Sequence, residues 1–440
     1  MDSNGSKDGG SKDCGSKDWR WQDVRLYGGL DWAKDHHDIV AVDGQGRKVV
    51  EVTIPDTAAG WAELKEKFVS QVGAELSAVA VAVETNNGPA VERLLALGCR
   101  VYPLNPKAAS RYRDRKAPSG GRNDRLDAFS FADGLRTDGH DWRVLRPDEP
   151  LTQELRYLCR DEVHLIGQRT ALVNQLQAAL NAYYPAAAEA FDDWTCPGAW
   201  AFVEQFPTPA ALVAAGKRRW EKFLHAHRLY RPATYPRRLE IFARADRFAG
   251  GPAVTSAKSR LAVGLAEQLR VLDKQLKGYR AAIEALFAKH PDFDIFDSLP
   301  AAGKKMAPRI FSEMGDDRDR FPDAESLQCL GGTAPVTVQS GKRRWVHVRR
   351  GCNKWLRSAM HLWANLTRPH CVWAAAYYDR KRKEGHSHAT ALRDLGQRWF
   401  KIIQRMWHDR RPYDEALHLR NMVTRGSWTL ALPGDPQPVK

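Results

Sequence analysis

The sequence YGGLDWAK, residues 27–34, sets one carboxylate, Asp31, inside a short stretch of apolar and small residues. Residues 37–42 and 48–54 follow with clusters of β-branched side chains, a pattern typical of strands. Asp31 is therefore predicted on the first strand of a three-stranded meander. Because an ionised side chain in such a place is normally paired, hydrogen-bonded or bound to a metal, we expect partners for it further along the chain.

Three further carboxylates follow at the ends of predicted elements. Glu84 comes directly after LSAVAVAV, residues 76–83, a continuous apolar run of the kind that forms a strand covered on both faces. In open α/β sheets, ligands bind at this carboxyl end of the strands. Asp124 and Asp127 lie at the start of a predicted helix, and a spacing of three places both on one helical face.

Together, the four acids predict a site for two magnesium ions. Hard divalent cations take oxygen ligands, and two of them can clamp a phosphodiester for in-line displacement. Singly, each acid has a plainer explanation: Asp31 could cap a turn, Glu84 could be a surface acid, and the two helical aspartates could favour the helix dipole. The predicted order of three strands, helix, strand, helix, strand and helix is that of an RNase H-like fold. Nucleases of that fold carry their acids on the first strand, the fourth strand and the last helix, which favours the metal site.

The composition indicates a polyanionic partner. The chain has 440 residues with 68 Lys and Arg against 53 Asp and Glu, a net charge of +15. No apolar run approaches the roughly 20 residues needed to cross a bilayer, so we expect no membrane partner and a soluble, intracellular protein. The seven scattered cysteines form no Cys-x-x-Cys pair and are predicted to be reduced. Adjacent His36 and His37 would point to opposite faces of a strand, so we predict no metal pair there.

The chain is predicted to form an α/β domain followed by mostly helical regions. Two long amphipathic helices, at about 151–183 and 255–290, predict an antiparallel coiled-coil hairpin with an insert at about 185–250. Three Gly-Ser-Lys-Asp repeats near the amino terminus predict a flexible tail. The predicted segments are a tail at 1–24, the α/β domain at 25–140, the coiled-coil region at 141–294, a mostly helical carboxyl-terminal domain at 295–415, and a tail at 416–440 that is extended from residue 423.

The densest basic segment, residues 340–357, is predicted to contact nucleic acid. Lysines and arginines with interleaved aromatic side chains suit phosphate contact together with base stacking. A surface basic loop without function is the alternative. The predicted nucleic-acid-binding residues are Lys342, Arg343, Arg344, Arg349, Arg350, Asn353, Lys354 and Arg357.

Two motif sets, far apart in the chain, resemble those of the DEDD transposases of the IS110 insertion-sequence family, the bridge-RNA-guided recombinases. The first set consists of GLDWAK with Asp31, VET with Glu84, NDRLDA with Asp124 and Asp127, and Asn105-Pro106. The second set consists of Phe321-Pro322, Gly332-Thr333-Ala334-Pro335, Ser340-Gly341 and Gly351-Cys352-Asn353-Lys354-Trp355-Leu356-Arg357. The chain departs from the family at Ala301-Ala302-Gly303, where a Gly-x-Gly turn is usual.

The resemblance implies a RuvC-like first domain and a carboxyl-terminal transposase domain that carries a serine nucleophile, Ser340. It also implies magnesium as cofactor, donor and target DNA as substrates, a structured noncoding guide RNA, and homodimers that assemble into homotetramers. From composition alone Ser340 would be assigned to a loop cap, and only the resemblance makes it the nucleophile. A field of positive charge follows it in sequence, but a base or metal does not, so the four acids would have to be brought to it, even from a second subunit.

Two other functions stay open. In a RuvC-like nuclease, a metal-activated water instead of Ser340 would attack the phosphate, and the product would be cut DNA. A non-catalytic RNA- or DNA-binding protein that retained the fold is the other alternative. The intact set of four acids argues against it.

Overall fold

The chain forms two compact units, which divide between Pro147 and Asp148. The computed structural model describes residues 20–86, 88–116 and 123–426. Residues 1–19 of the predicted amino-terminal tail and 427–440 of the predicted carboxyl-terminal tail lie outside the described residues.

The first unit is built on a mixed sheet. Its strands are β1 (Leu26–Trp32), β2 (His36–Val42), β3 (Lys48–Pro55), β4 (Val79–Val83) and β5 (Arg100–Pro103). Its helices are α1 (Ala58–Val72), α2 (Pro89–Ala96), α3 (Pro106–Lys116) and α4 (Asp124–Asp138). The strand order is β3-β2-β1-β4-β5, with β1, β2 and β3 antiparallel and β4 and β5 parallel to β1. The meander and the order of the five strands therefore agree with the sequence prediction, whereas α3, between β5 and α4, was not predicted.

Apolar side chains cover both faces of this sheet. On one face, Leu30 and Val83 belong to a core that includes α1 and α2. On the other face, Ala82 belongs to a core with Phe131 of α4. Side chains alternate between the two faces along a strand, so Asp31, one residue after Leu30, projects on the α4 side.

The second unit is mostly helical. Its elements are α5 (Pro150–Tyr183), α6 (Pro185–Ala190), α7 (Pro197–Gln205), α8 (Pro209–Ala226), α9 (Tyr235–Ala243), α10 (Pro252–Phe287), α11 (Phe293–Asp297), α12 (Gly303–Met314), α13 (Ala324–Leu330), β6 (Val336–Ser340), β7 (Arg343–His347), α14 (Lys354–Thr367), α15 (Val372–Lys383), α16 (His388–His408) and α17 (Glu415–Thr424). An α/β unit followed by a mostly helical unit confirms the predicted fold class at this level. No helix among the described residues is both long and apolar enough to span a bilayer.

The long helices α5 and α10 pack against each other. Helices α6 to α9 fill the region predicted as an insert and form a core with parts of both long helices, around the fully buried Trp200, Phe202 and Phe242. This region is therefore a packed helical subdomain. That α5 and α10 form a coiled coil stays a prediction.

The carboxyl-terminal helices share a core rich in tryptophan. Trp363, Trp373, Trp399 and Trp407 are all buried in it, and three of them, Trp363 of α14 and Trp399 and Trp407 of α16, lie on the apolar face of an amphipathic helix. Helix α17 occupies the start of the segment predicted as a tail, and the extended conformation predicted from residue 423 is wrong at Val423 and Thr424, which belong to this helix. The segment's own capping residue explains the helix, since Asp414 accepts a hydrogen bond from the backbone amide of Leu417.

Candidate active site

Asp31 and Glu84 lie at the same level of two adjacent parallel strands. Leu30 of β1 pairs in register with Val83 of β4, and the two acids are the next residues of each strand. Residues that face each other across a sheet project on the same side. The two carboxylates therefore meet at the carboxyl end of the parallel strands, as the sequence predicted.

Helix α4 reaches this edge because β1 has a glycine at the point of contact. A Cβ atom on Gly29 would lie 1.9 Å from the carbonyl oxygen of Ala128 and 2.7 Å from the amide nitrogen of Ala132, so helix backbone rests directly on strand backbone. Asp31 is two residues beyond Gly29 and on the same face. The close approach brings the first turn of α4, with Asp124 and Asp127, toward Asp31.

The electrostatics of Asp31 show that the other three acids act on it. Burial, then the negative charges of Asp127, Asp124 and Glu84, raise the pKa of Asp31 from 3.8 to about 6, while the charge of Arg113 opposes the shift. A carboxyl group shifted in this way lacks enough positive charge around it. The site therefore favours a cation.

Arg113 of α3 bridges two of the acids. Its Nη1 atom lies 3.0 Å from Glu84 Oε2 and 3.2 Å from Asp127 Oδ2, within hydrogen-bond distance of both. The guanidinium also lies over the ring of Phe131, 5.7 Å from its centre. Sequence reasoning missed this residue, because the run RYRDRK at 111–116 offers several basic side chains and nothing in it marks the one that faces inward.

A second group of possible metal ligands lies beside the first. The ligand atoms of His36, Asp38 and Asp124 all lie within 4.8 Å of one another. Asp38 faces Asp31 across the β1–β2 pair. It accepts a hydrogen bond from the Thr53 hydroxyl. The sequence analysis predicts no metal pair of His36 and His37, because adjacent residues of a strand point to opposite faces. In the structure His37 is buried and His36 is exposed.

Ser340 lies at the tip of a surface hairpin in the second unit. It ends β6, and Gly341 and Lys342 form a two-residue loop before Arg343 begins β7. Gly341 has a φ of 56°, as the primed turns of such hairpins require, so a glycine follows the serine for reasons of backbone conformation. Ser340 itself is exposed.

The predicted nucleic-acid contacts divide by exposure. Three of them are half-buried and have contacts within the chain: Arg349 donates to Ala334 O at 3.2 Å, Arg357 to Cys352 Sγ at 3.7 Å, and Asn353 to Glu313 Oε2 at 2.8 Å. The Asn353 side chain also accepts hydrogen bonds from the amides of residues 355 and 356, which caps α14. The exposed members of the set are Lys342, Arg343, Arg344, Arg350 and Lys354.

Comparison with known proteins assigns both units to transposases. A DEDD transposase model of the IS110 type matches residues 28–185, and a model for the transposases of the IS116/IS110/IS902 family matches residues 294–379. The "Mini-circle putative transposase for IS117" of Streptomyces coelicolor is 33% identical over 403 residues, which cover 90% of this chain and 97% of that protein. The chain belongs to the IS110 family of transposases. The "Insertion element IS110 uncharacterized 43.6 kDa protein" of the same species is 28% identical over 90% of this chain and 97% of its own length. The "Putative transposase y4uE" of Sinorhizobium fredii is 34% identical over 47% of this chain and 57% of its own length.

The four acids of this transposase fit a hard divalent cation. Their donors are carboxylate oxygens, which such cations prefer. Among the side chains described here, Arg113 supplies one positive charge against four carboxylates. The raised pKa of Asp31 is the structural sign that this balance is incomplete.

The structure brings the predicted residues of the IS110-family transposase into two groups. Asp31, Glu84, Asp124 and Asp127 come together in the first unit, as predicted. Ser340 belongs to the second unit, on the hairpin with the exposed basic residues. The assignment of catalytic and nucleic-acid-binding roles to these residues stays a prediction.

Proposed function

We propose that this DNA transposase cuts and rejoins DNA through its four acids and Ser340, with an RNase H-like first unit of the RuvC type. The observation that carries the proposal is the meeting of Asp31 and Glu84 with the first turn of α4, which Gly29 permits. Magnesium, when held by these carboxylates, would polarise the scissile phosphate and neutralise its developing charge. Family membership makes the chain an enzyme and therefore argues against the non-catalytic alternative.

In this proposal, Ser340 attacks phosphorus and forms a serine phosphodiester. The hydroxyl loses its proton, the new Oγ–P bond forms, the P–O bond of the DNA breaks, and the departing DNA oxygen takes up a proton. A hydroxyl of a second DNA strand then attacks the same phosphorus and releases Ser340 with its hydrogen restored. The number of phosphodiester bonds is conserved, so strand joining needs no external energy source.

The test uses the full chain, magnesium, any RNA that co-purifies and labelled DNA that carries the ends of the element. Denaturing electrophoresis should show a protein-linked DNA band with the wild type and with Thr337→Ala, a control on the other face of the same strand. Ser340→Ala should remove the band, and Asp31→Asn should remove all strand cleavage. Cleavage without a linked band in the wild type would favour the RuvC-like nuclease with activated water. A linked band that survives in Ser340→Ala would rule out the serine.

We further propose the partners that the family resemblance implies, a structured noncoding guide RNA and a homodimer that assembles into a homotetramer. The net charge of +15 supports a nucleic-acid partner. Sequencing of the RNA that co-purifies with the chain should recover one predominant structured species. A strictly monomeric protein, with and without that RNA, would contradict the assembly.

A further inference from the structure

The hairpin of β6 and β7 presents two chemically different faces. Its register pairs Val336 with His347, Thr337 with Val346, Val338 with Trp345, Gln339 with Arg344, and Ser340 with Arg343. Directly opposed residues share a face, and successive residues alternate between faces. One face therefore carries Val336, Val338, Ser340, Arg343, Trp345 and His347, and the other carries Thr337, Gln339, Arg344 and Val346.

We propose that Arg343, and not its neighbour Arg344, is the catalytic arginine that binds the phosphate attacked by Ser340. The inference rests on the proposed function, in which Ser340 is the nucleophile. Opposed Cβ atoms in an antiparallel pair lie about 5 Å apart, so the Arg343 guanidinium reaches a phosphate bonded to the Ser340 oxygen. Arg344 projects from the opposite face of the hairpin.

Arg343 has the chemistry that this position needs. The planar guanidinium can donate two parallel hydrogen bonds to two phosphate oxygens. A donor placed where negative charge grows stabilises the transition state more than the ground state. Within the described part of the chain, no acidic side chain pairs with Arg343, whereas Arg349 and Arg357 already donate to groups of the second unit.

An exposed tryptophan, Trp345, lies on the same face of the hairpin as Ser340 and Arg343. Trp345 is 42% exposed and stands two residues beyond Arg343. An aromatic ring beside a bound phosphate can stack on a nucleotide base. Trp345 is therefore the stacking platform of the same site, and it holds the strand whose phosphate Arg343 binds.

The other titratable group on this face lies too far away to act on Ser340. His347 pairs with Val336 at the far end of the hairpin, four residues from Ser340 along β6. At about 3.4 Å per residue this separation is about 14 Å, which is too long for direct proton transfer. Arg343 and Trp345 thus distinguish this face near the serine.

The test compares Arg343→Ala with Arg344→Ala, a matched pair that removes the same side chain from opposite faces. The full chain is used with magnesium, its co-purifying RNA and labelled DNA that carries the ends of the element. We expect Arg343→Ala to slow formation of the protein-linked band at least about 100-fold, the usual loss for a transition-state donor, and Arg344→Ala to slow it less than about fivefold. Both variants should lower DNA affinity to a similar, salt-dependent extent, because each removes one phosphate contact.

Three additional variants keep the outcome clear. Arg343→Lys keeps the charge without the planar fork, and we expect an intermediate rate. Trp345→Ala should weaken DNA binding by about 5- to 100-fold, whereas Val346→Ala, an exposed apolar residue on the other face, should leave it unchanged. Equal rates for Arg343→Ala and Arg344→Ala, with the band still abolished in Ser340→Ala, would overturn this inference alone. A band that persists in Ser340→Ala would overturn the proposed function.

Discussion

Replacement of Asp31 by asparagine should stabilise the metal-free protein near neutral pH. Burial and the charges of Asp127, Asp124 and Glu84 raise the pKa of Asp31 from 3.8 to about 6. The folded protein therefore binds this proton more tightly than the unfolded chain does. Its stability falls as the pH rises from about 4 to about 6 and stays lower above that range. Asparagine has the same shape and carries no charge, so it removes this cost.

The size of the effect follows from the pKa of Asp31. Each tenfold difference in proton affinity is worth about 1.4 kcal/mol, so the full displacement would cost about 3 kcal/mol near neutral pH. Asp31 is only half-buried, and solvent screens part of the repulsion. We therefore expect Asp31→Asn to stabilise the first unit by about 1–2 kcal/mol, or about 2–8 °C in melting temperature for a unit of this size.

Calorimetric melting in EDTA measures this difference. The gap between Asp31→Asn and the wild type should be present at about pH 7.5 and should close toward about pH 4, where both side chains are neutral. Asp35→Asn, an exposed acid in the turn after β1, should melt like the wild type at both values. With magnesium added, the wild type should gain more stability than Asp31→Asn. A gap of equal size at both pH values, or a variant that melts below the wild type at neutral pH, would refute the reasoning.

Two other predictions concern the neighbours of the acids. Arg113→Gln should raise magnesium affinity about tenfold in a calorimetric titration, because it removes a competing charge from Glu84 and Asp127. Arg115→Gln, on the same helix, should leave the affinity unchanged. Weaker magnesium binding by Arg113→Gln would show that Arg113 instead holds the acids in place. Gly29→Ala should destabilise the first unit by about 3 kcal/mol or more in a melting experiment, because the new Cβ would overlap α4. Gly28→Ala should lose much less stability, because the nearest atom to its new Cβ is a Val81 methyl at 3.3 Å. Equal melting temperatures of the two variants would contradict the close contact.

Two of the four acids, Asp31 and Glu84, could be predicted from sequence because each interrupts or directly follows a strong local pattern, whereas Asp124 and Asp127 were predicted from their spacing and from the order of elements. Asp31 and Glu84 are charges within or directly after apolar strands, and the strands have a fixed period and direction. Arg113 could not be predicted in this way. Its role depends on the packing of α3 on α4, and a helix with six basic or acidic residues among its eleven has no apolar stripe that shows which side faces inward.

The helical subdomain between α5 and α10 shows the same limit. Helices α6, α7 and α9 have six to nine residues, too few for a clear period of 3.6, so the sequence indicated an insert but not the helices within it. Its core forms between helices, around Trp200, Phe202 and Phe242. The cap of α14 also could not be predicted from the sequence. An amide side chain such as Asn353 in a basic segment suggests a nucleic-acid contact, and only the structure shows that it caps α14.

In each unit, the alternation of side chains along β-strands decides which residues share a face. In β1, Gly29 admits α4 and Asp31 meets its acids only because the two residues lie on one face. In the hairpin, Ser340 and Arg343 share a face only because a loop of two residues joins the strands. A shift of one residue in either place would turn Asp31 or Arg343, the side chains with proposed roles, to the opposite face while the local composition stayed the same. The spacing between Gly29 and Asp31 and between Ser340 and Arg343 is therefore a stricter physical requirement than the number of acids or bases around them.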